Sequence, residues 1–310
     1  GESTAFLRAG RGRPLRRRGV SRGELPWWKG VIWMADSATP AVKLEVTSKL
    51  EAVALSSGAG DGLPRAWLEI DINETRAAYK RAVDFVEANN LTYNLTSNWL
   101  EELGGSEKRR IKEVLYPGDF AWAQKGRVCV RQPPERLTFE LWPDLAPLAV
   151  QNFLSLVTGH RGVGAGGRPL HYKSGQIHRL VPNFIVQGGD VLMNNGSGGE
   201  SIFGKPFKDD KDGLKKKLDV RGLLAMGNSG KNSNTSQFFI TLDGGKGVQV
   251  LTGKHVVFGR LVDGEQVLQF IESCAADDGS EKPQFSVVIA NCGVEAETLT
   301  QLQRHQCGLA

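Results

Sequence analysis

The stretch IHRLVPNFIVQGGD, residues 177–190, decides how this chain is read. Two strand-like runs, Gln176–Leu180 and Phe184–Val186, fall in and beside it, with a Pro- and Asn-containing connection between them. Gln187 follows directly, between Val186 and Gly188. A buried amide at such a place is costly without hydrogen-bond partners, so Gln187 fits a site better than a core. Arg179 carries a fixed charge and a planar fork of donors. A lone arginine beside a strand is ordinarily a surface ion pair, so this stretch by itself leaves its role open.

Two further segments extend the pattern: GLLAMGNSGKNSNTSQFFI, residues 222–240, and LTGKHVVFG, residues 251–259. From Gly126 onward strand-like runs dominate: Val128–Val130, Leu137–Trp142, the two runs above, Leu223–Ala225, Phe238–Leu242, His255–Phe258 and Ser286–Ala290. Gly-, Asn- and Asp-rich connections separate them, which predicts an antiparallel barrel or sandwich. Two helices interrupt the strands. Residues 144–157 place Leu148, Phe153, Leu154 and Val157 at helical spacing with Asp144 as the expected cap. Residues 264–273 place Val267, Leu268 and Ile271 on one face.

The N-terminal part has a different texture. The chain of 310 residues carries a net charge of +5, and residues 1–33 alone contribute +6 through Arg8, Arg11, Arg13, Arg16, Arg17, Arg18, Arg22 and Lys29 against Glu2 and Glu24. The remainder is nearly neutral, so the basic balance is no argument for nucleic acid as a partner. Residues 1–65 read as a disordered basic leader and linker, and residues 66–125 as a small, mostly helical module. Residues 126–294 form the main domain and residues 295–310 a polar tail. Within the module, residues 66–72 alternate like a short strand. A helix is predicted from Asn73 to Ala88 with Asn73 or Thr75 as cap and Ala78, Ala82, Phe85 and Val86 on one face. Shorter helices are predicted at 98–103 and at 106–115, the latter capped by Ser106. No apolar run approaches the ~18 residues that a membrane-spanning helix needs. The four cysteines, Cys129, Cys274, Cys292 and Cys307, show no zinc-type spacing and read as reduced, mostly buried thiols of an intracellular protein.

Several motifs are weak. Gly162–Gly167 matches G-x-G-x-x-G in letters, but it follows a predicted helix and precedes a loop, the wrong context for a dinucleotide site. Gly253-Lys254 lacks the remaining residues of a phosphate loop. His255 has no accompanying nucleophile motif. Lys215, Lys216 and Lys217 read as a solvated turn.

Taken together and in this order, the segments 177–190, 222–240 and 251–259 strongly resemble the cyclophilin family of peptidyl-prolyl cis-trans isomerases. The resemblance covers about residues 128–294. It implies a mainly β fold, an eight-stranded antiparallel barrel capped by two helices, here preceded by a small helical module. It implies Arg179, Phe184, Gln187, Asn228, Phe239 and His255 as catalytic residues. It implies Ile185, Gly196, Gly227, Ser229, Gln237, Val250 and Leu251 as the substrate groove. There are departures. Ile185 stands in place of the usual pocket Met, a swap of similar volume. Gly227 and Ser229 stand where Ala is usual, and Val250 stands where many members have Trp. The loop Gly159–Gly175, with Glu200, resembles the longer-loop members found in multidomain proteins.

The expected activity is rotation about X–Pro bonds in peptides and folding proteins, with no cofactor and no metal. The alternative is a catalytically weak or inactive module that holds a Pro-containing partner segment in a larger assembly. Expected partners are Pro-containing peptides and proteins, cyclosporin with affinity weakened by Val250, and an unidentified partner for residues 66–125. Neither a membrane nor nucleic acid is expected, and the expected compartment is the cytoplasm, with nucleus and organelles as alternatives.

Overall fold

A computed structural model describes residues 62–133, 136–296 and 298. The expectations for the basic leader and for the far C-terminal tail, Cys307 included, lie outside these residues. The architecture is an eight-stranded antiparallel sheet in the order β3-β4-β6-β5-β7-β2-β1-β8. Its strands are β1 (Arg65–Ile72), β2 (Arg136–Leu141), β3 (Arg179–Val181), β4 (Ile185–Gly188), β5 (Leu223–Met226), β6 (Phe238–Thr241), β7 (Val257–Asp263) and β8 (Val287–Val294). The sheet curls until its edges approach. The segment just ahead of β3 bonds to β8, with Ile177 N donating to Val287 O at 2.9 Å and Gln176 bridging Val288. No helix among the described residues is long and apolar enough to cross a membrane.

The period of two along each strand sorts side chains to the two sides of the wall. In β1 the alternation is clean, with Ala66, Leu68, Ile70 and Ile72 buried in the interior. Strands β4, β5 and β6 are buried on both sides. Val186, Leu224, Met226, Phe238 and Ile240 fill the barrel interior, while Ile185, Leu223, Ala225 and Phe239 join Leu218, Val248 and Val257 in a second cluster on the outer wall. A strand buried on both faces loses its alternation, which is why these three read as plain apolar runs.

Two helices of substance complete the barrel core, and a third builds a separate one. Helix α1 (Thr75–Asn89) lies between β1 and β2; helix α2 (Pro147–Thr158) follows β2, and helix α3 (Glu265–Glu272) follows β7. Phe153 on α2 and Leu268 on α3 are fully buried in the barrel core. The expected cap of α2 at Asp144 is corrected. Pro147 opens the helix, and the buried Asp210 carboxylate accepts from Ala149 N at 3.0 Å and Leu148 N at 3.4 Å. A tertiary partner satisfies the orphan donors that a local cap would have taken. Neither Asn73 nor Thr75 caps α1: Asp71 at the end of β1 accepts from Arg76 N at 3.1 Å. Ser106 lies inside the helix Gly105–Arg110, which runs on into a π-helical turn at Ile111–Leu115. The predicted helix at 98–103 is a single 3₁₀ turn, Leu100–Glu102.

The main difference from the sequence reading concerns the eighth strand. Val128–Val130 forms no strand; Cys129 N donates to Ala78 O at 3.1 Å, and Val128 packs into the helical core with Phe85, Leu100, Ile111 and Tyr116. Its place in the sheet is taken by β1, whose residues 66–72 were expected as a short strand within the helical module; it pairs with β2 through Leu68↔Leu137 and with β8 through Leu68↔Cys292. The helical stretch therefore does not precede the barrel but is inserted into its first β-hairpin. Its core is its own, with the Phe85 ring stacked on Tyr93 at 5.5 Å and edge-on to Trp122 at 5.4 Å.

Candidate functional site

One row of side chains crosses the outer wall. Strand register sets Arg179 opposite Gln187, Gln187 opposite Phe239, and Phe239 opposite Ala225, so β3, β4, β6 and β5 present one aligned band. A residue slip in any strand would turn its member inward. The band borders a cavity of about 500 Å³. Arg179, Ile185, Gln187, Gly196, Gly227, Asn228, Phe239, Leu251 and His255, all expected in the site, line it. Phe184 stands beside it, half-buried in the outer cluster, with the Arg179 guanidinium 6.0 Å from its ring centre. Three expected residues do not line the cavity. Gln237 acts from behind Gln187, Ser229 is turned to Ser233, and Val250, at the end of the short helical turn Lys246–Gln249, is 59% exposed.

The polar groups are held by a connected network. Gln187 Nε2 donates to Gln237 Oε1 at 2.8 Å, and Gln237 Nε2 donates to the carbonyls of Gly196 at 2.9 Å and Gly198 at 2.6 Å. These bonds fix both amide orientations and leave Gln187 Oε1 as an acceptor. The glycine loop is organised from below by Asp190, whose carboxylate accepts from Leu192, Met193, Asn195, Gly196 and Gly198 N–H groups. Burial pushes the Asp190 pKa up, but the backbone donors outweigh it and leave the group below its ordinary range. Gly196 needs to be glycine twice over: its φ is +89°, and a Cβ there would lie 2.6 Å from His178 Cδ2. Asn228 Nδ2 donates to Lys254 O at 3.0 Å, tying the groove wall to the loop ahead of β7.

His255 meets the Phe239 ring edge-on at 5.1 Å. Its Nδ1 lies 2.9 Å from Met226 O, and a carbonyl only accepts, so Nδ1 carries the proton and Nε2 is left as an acceptor. Burial lowers the His255 pKa, and the same cause lowers that of His178. Arg179 donates through Nε to Glu281 Oε2 at 2.7 Å and through Nη2 to Glu281 Oε1 at 3.2 Å.

His178, Asn195, Glu281 and Lys282 also line the cavity and were not expected there. His178 is the neighbour of Arg179 and could have been suspected on that ground. Glu281 lies 102 residues away in a polar loop, and no local pattern distinguishes it. The G-x-G-x-x-G string lies in a loop whose Ala165 and Gly166 N–H groups donate to Glu200 at 2.6 and 2.9 Å, with no helix following.

A family model described as cyclophilin type peptidyl-prolyl cis-trans isomerase/CLD matches residues 127–294, more than half of the 310 residues. The matched range starts after β1, which the helical insert separates from β2 along the sequence.

Proposed function

The chain belongs to the cyclophilin-type peptidyl-prolyl cis-trans isomerase family, and from that premise we propose that it accelerates rotation about X–Pro bonds in peptides and folding proteins. The barrier to that rotation, about 18–20 kcal/mol, is the lost resonance of the amide. No covalent bond breaks, so the reaction calls for a shaped apolar pocket and a donor for the twisted amide rather than for a nucleophile or cofactor. The single observation that carries the reading is the register band, which sets a cation beside an aromatic pocket through the shared neighbour Gln187.

In this reading the proline ring rests on Phe239, Leu251 and Ile185, with Phe184 and the edge of His255 closing the sides. Arg179 Nη1, which Glu281 does not engage, donates to the prolyl nitrogen as its lone pair leaves conjugation. Gln187 Oε1 accepts from the substrate backbone, and Asn228 and Gly227 shape the groove wall beside it. Ser229, Gln237 and Val250 act on the groove's neighbours and on its rim. Pro-containing proteins are the proposed partners and the cytoplasm the proposed compartment. Cyclosporin is a proposed weak ligand, because the exposed Val250 offers little contact surface. The inserted helical stretch is proposed to dock an assembly partner.

A cis/trans relaxation assay on a Pro-containing peptide tests the reading. Faster relaxation that Arg179→Ala abolishes supports it. An unchanged relaxation rate with retained peptide binding would leave the non-catalytic binding module instead.

A further inference from the structure

We propose that Glu281 is a positioning residue that fixes the guanidinium of Arg179 at the groove. For its kinetic consequence this rests on the isomerase reading, but its geometric content does not.

The loop carrying Glu281 is fastened to the strand that carries Arg179. Leu180 N on β3 donates to Glu281 O at 2.7 Å, so the backbone of the acid is bonded to the residue next to the arginine. The loop is closed behind this point, with Ala275 bridging Pro283 and Gln284 N donating to Cys274 O at 2.7 Å. Inside it, Ser280 N donates to Asp278 Oδ1 at 2.8 Å and Lys282 N to Ser280 Oγ at 3.2 Å. The side chain then takes the Nε and Nη2 donors of Arg179 in a two-point fork. A bidentate carboxylate fixes the plane of a guanidinium as well as its position.

Among the described residues no other protein acceptor holds that fork. Gln187, the register partner of Arg179, gives its Nε2 to Gln237. Without Glu281, a long side chain that is about one-third exposed would sample several rotamers. The ordering would then have to be met on the way to the twisted amide, in the step in which the donor must be aligned. The pair is exposed on its Glu281 side, so it adds little to fold stability. Its effect is expected on alignment, not on folding.

The experiment uses the full chain and the variants Glu281→Ala and Glu281→Asp, with two readouts. In ¹H–¹⁵N spectra the Arg179 Nε–H resonance, assigned by its disappearance in Arg179→Lys, is expected to be resolved in the unmodified chain. It should collapse into the free-arginine region in Glu281→Ala and be partly restored in Glu281→Asp. With a Pro-containing peptide, Glu281→Ala is expected to lower kcat about fivefold to tenfold with KM nearly unchanged, and Glu281→Asp to recover part of it. An Nε–H resonance indifferent to Glu281→Ala overturns the proposal, as does a kcat that stays level or rises in an active protein. If the unmodified chain shows no turnover at all, the isomerase reading fails, and the Nε–H resonance alone decides the role of Glu281.

Discussion

Arg179 and Gln187 face each other as register partners across the β3–β4 ladder, and Gln187 is in turn the partner of Phe239 on β6. A cation, an amide and an aromatic ring are thereby aligned on the outer wall by backbone pairing alone. Their Cβ spacing is set by the sheet, about 4.5–5.5 Å between directly opposed residues, and not by side-chain preference. The site therefore inherits the rigidity of a barrel whose other face is a packed core.

Arg179→Ala should lower kcat/KM by about a hundredfold or more, the usual consequence of losing a preorganised donor. Arg179→Lys should recover little of it, because an ammonium group cannot satisfy Glu281 at two points and present a planar edge as well. Peptide relaxation kinetics check both, and near-unchanged melting temperatures would exclude misfolding as the cause.

Gly196→Ala should destabilise the chain by about 1–3 kcal/mol, since alanine at φ +89° is strained. The added methyl would also press on His178, 2.6 Å from its Cδ2. Denaturant unfolding reads the first effect. A raised KM for a Pro peptide, from a displaced groove wall, reads the second.

Phe85→Ala and Phe153→Ala should have different reach. Each removes a fully buried ring worth about 3–5 kcal/mol. Phe85 belongs to the core of the insert and Phe153 to that of the barrel. Hydrogen exchange should show amides of 75–130 opening in the first variant while β4–β7 stay protected. In the second, protection should fall throughout the sheet.

Acid should weaken the fold through its histidines. Burial lowers the pKa of His171, His178 and His255 below the ordinary value of 6.5. The unfolded chain then binds more protons than the folded one in the window below that value. This contribution to stability is complete above about pH 6.5 and is lost as pH falls through the folded-state pKa values. Urea midpoints measured from pH 7.5 to 5 should decline across that window, and His255→Gln should flatten part of the decline. A midpoint independent of pH over that range would count against buried neutral imidazoles.

Val250→Trp should tighten cyclosporin binding by about tenfold, because an aromatic ring at this exposed position adds contact surface and an indole N–H. Calorimetric titration of both forms checks it, and equal affinities would remove Val250 from the groove's rim.

Much of the barrel was legible in the chain because its strands carry local signatures. Leu137–Trp142 and Phe238–Leu242 anticipated β2 and β6 to within a residue or two, and the apolar faces of α2 and α3 follow from helical spacing. Val128–Val130 failed for an instructive reason. A short apolar run such as Val-Cys-Val fits a strand or a packed loop equally well, and here the apolar side of α1 decides by burying Val128. The caps failed for a related reason, since Asp71 serves α1 across a turn and Asp210 serves α2 from 61 residues away.

The sequence by itself determined the composition of the groove: the order of the segments 177–190, 222–240 and 251–259 carries its arginine, amides, rings and histidine. Those features are local, because a strand's residue types and turn glycines are chosen by their immediate backbone. Only the tertiary structure decided that β1 returns to the sheet around a helical insert, and that Glu281 grips Arg179 from across the chain. Both depend on pairing between residues far apart in sequence, where loop closure is paid back only by contacts that no local pattern records.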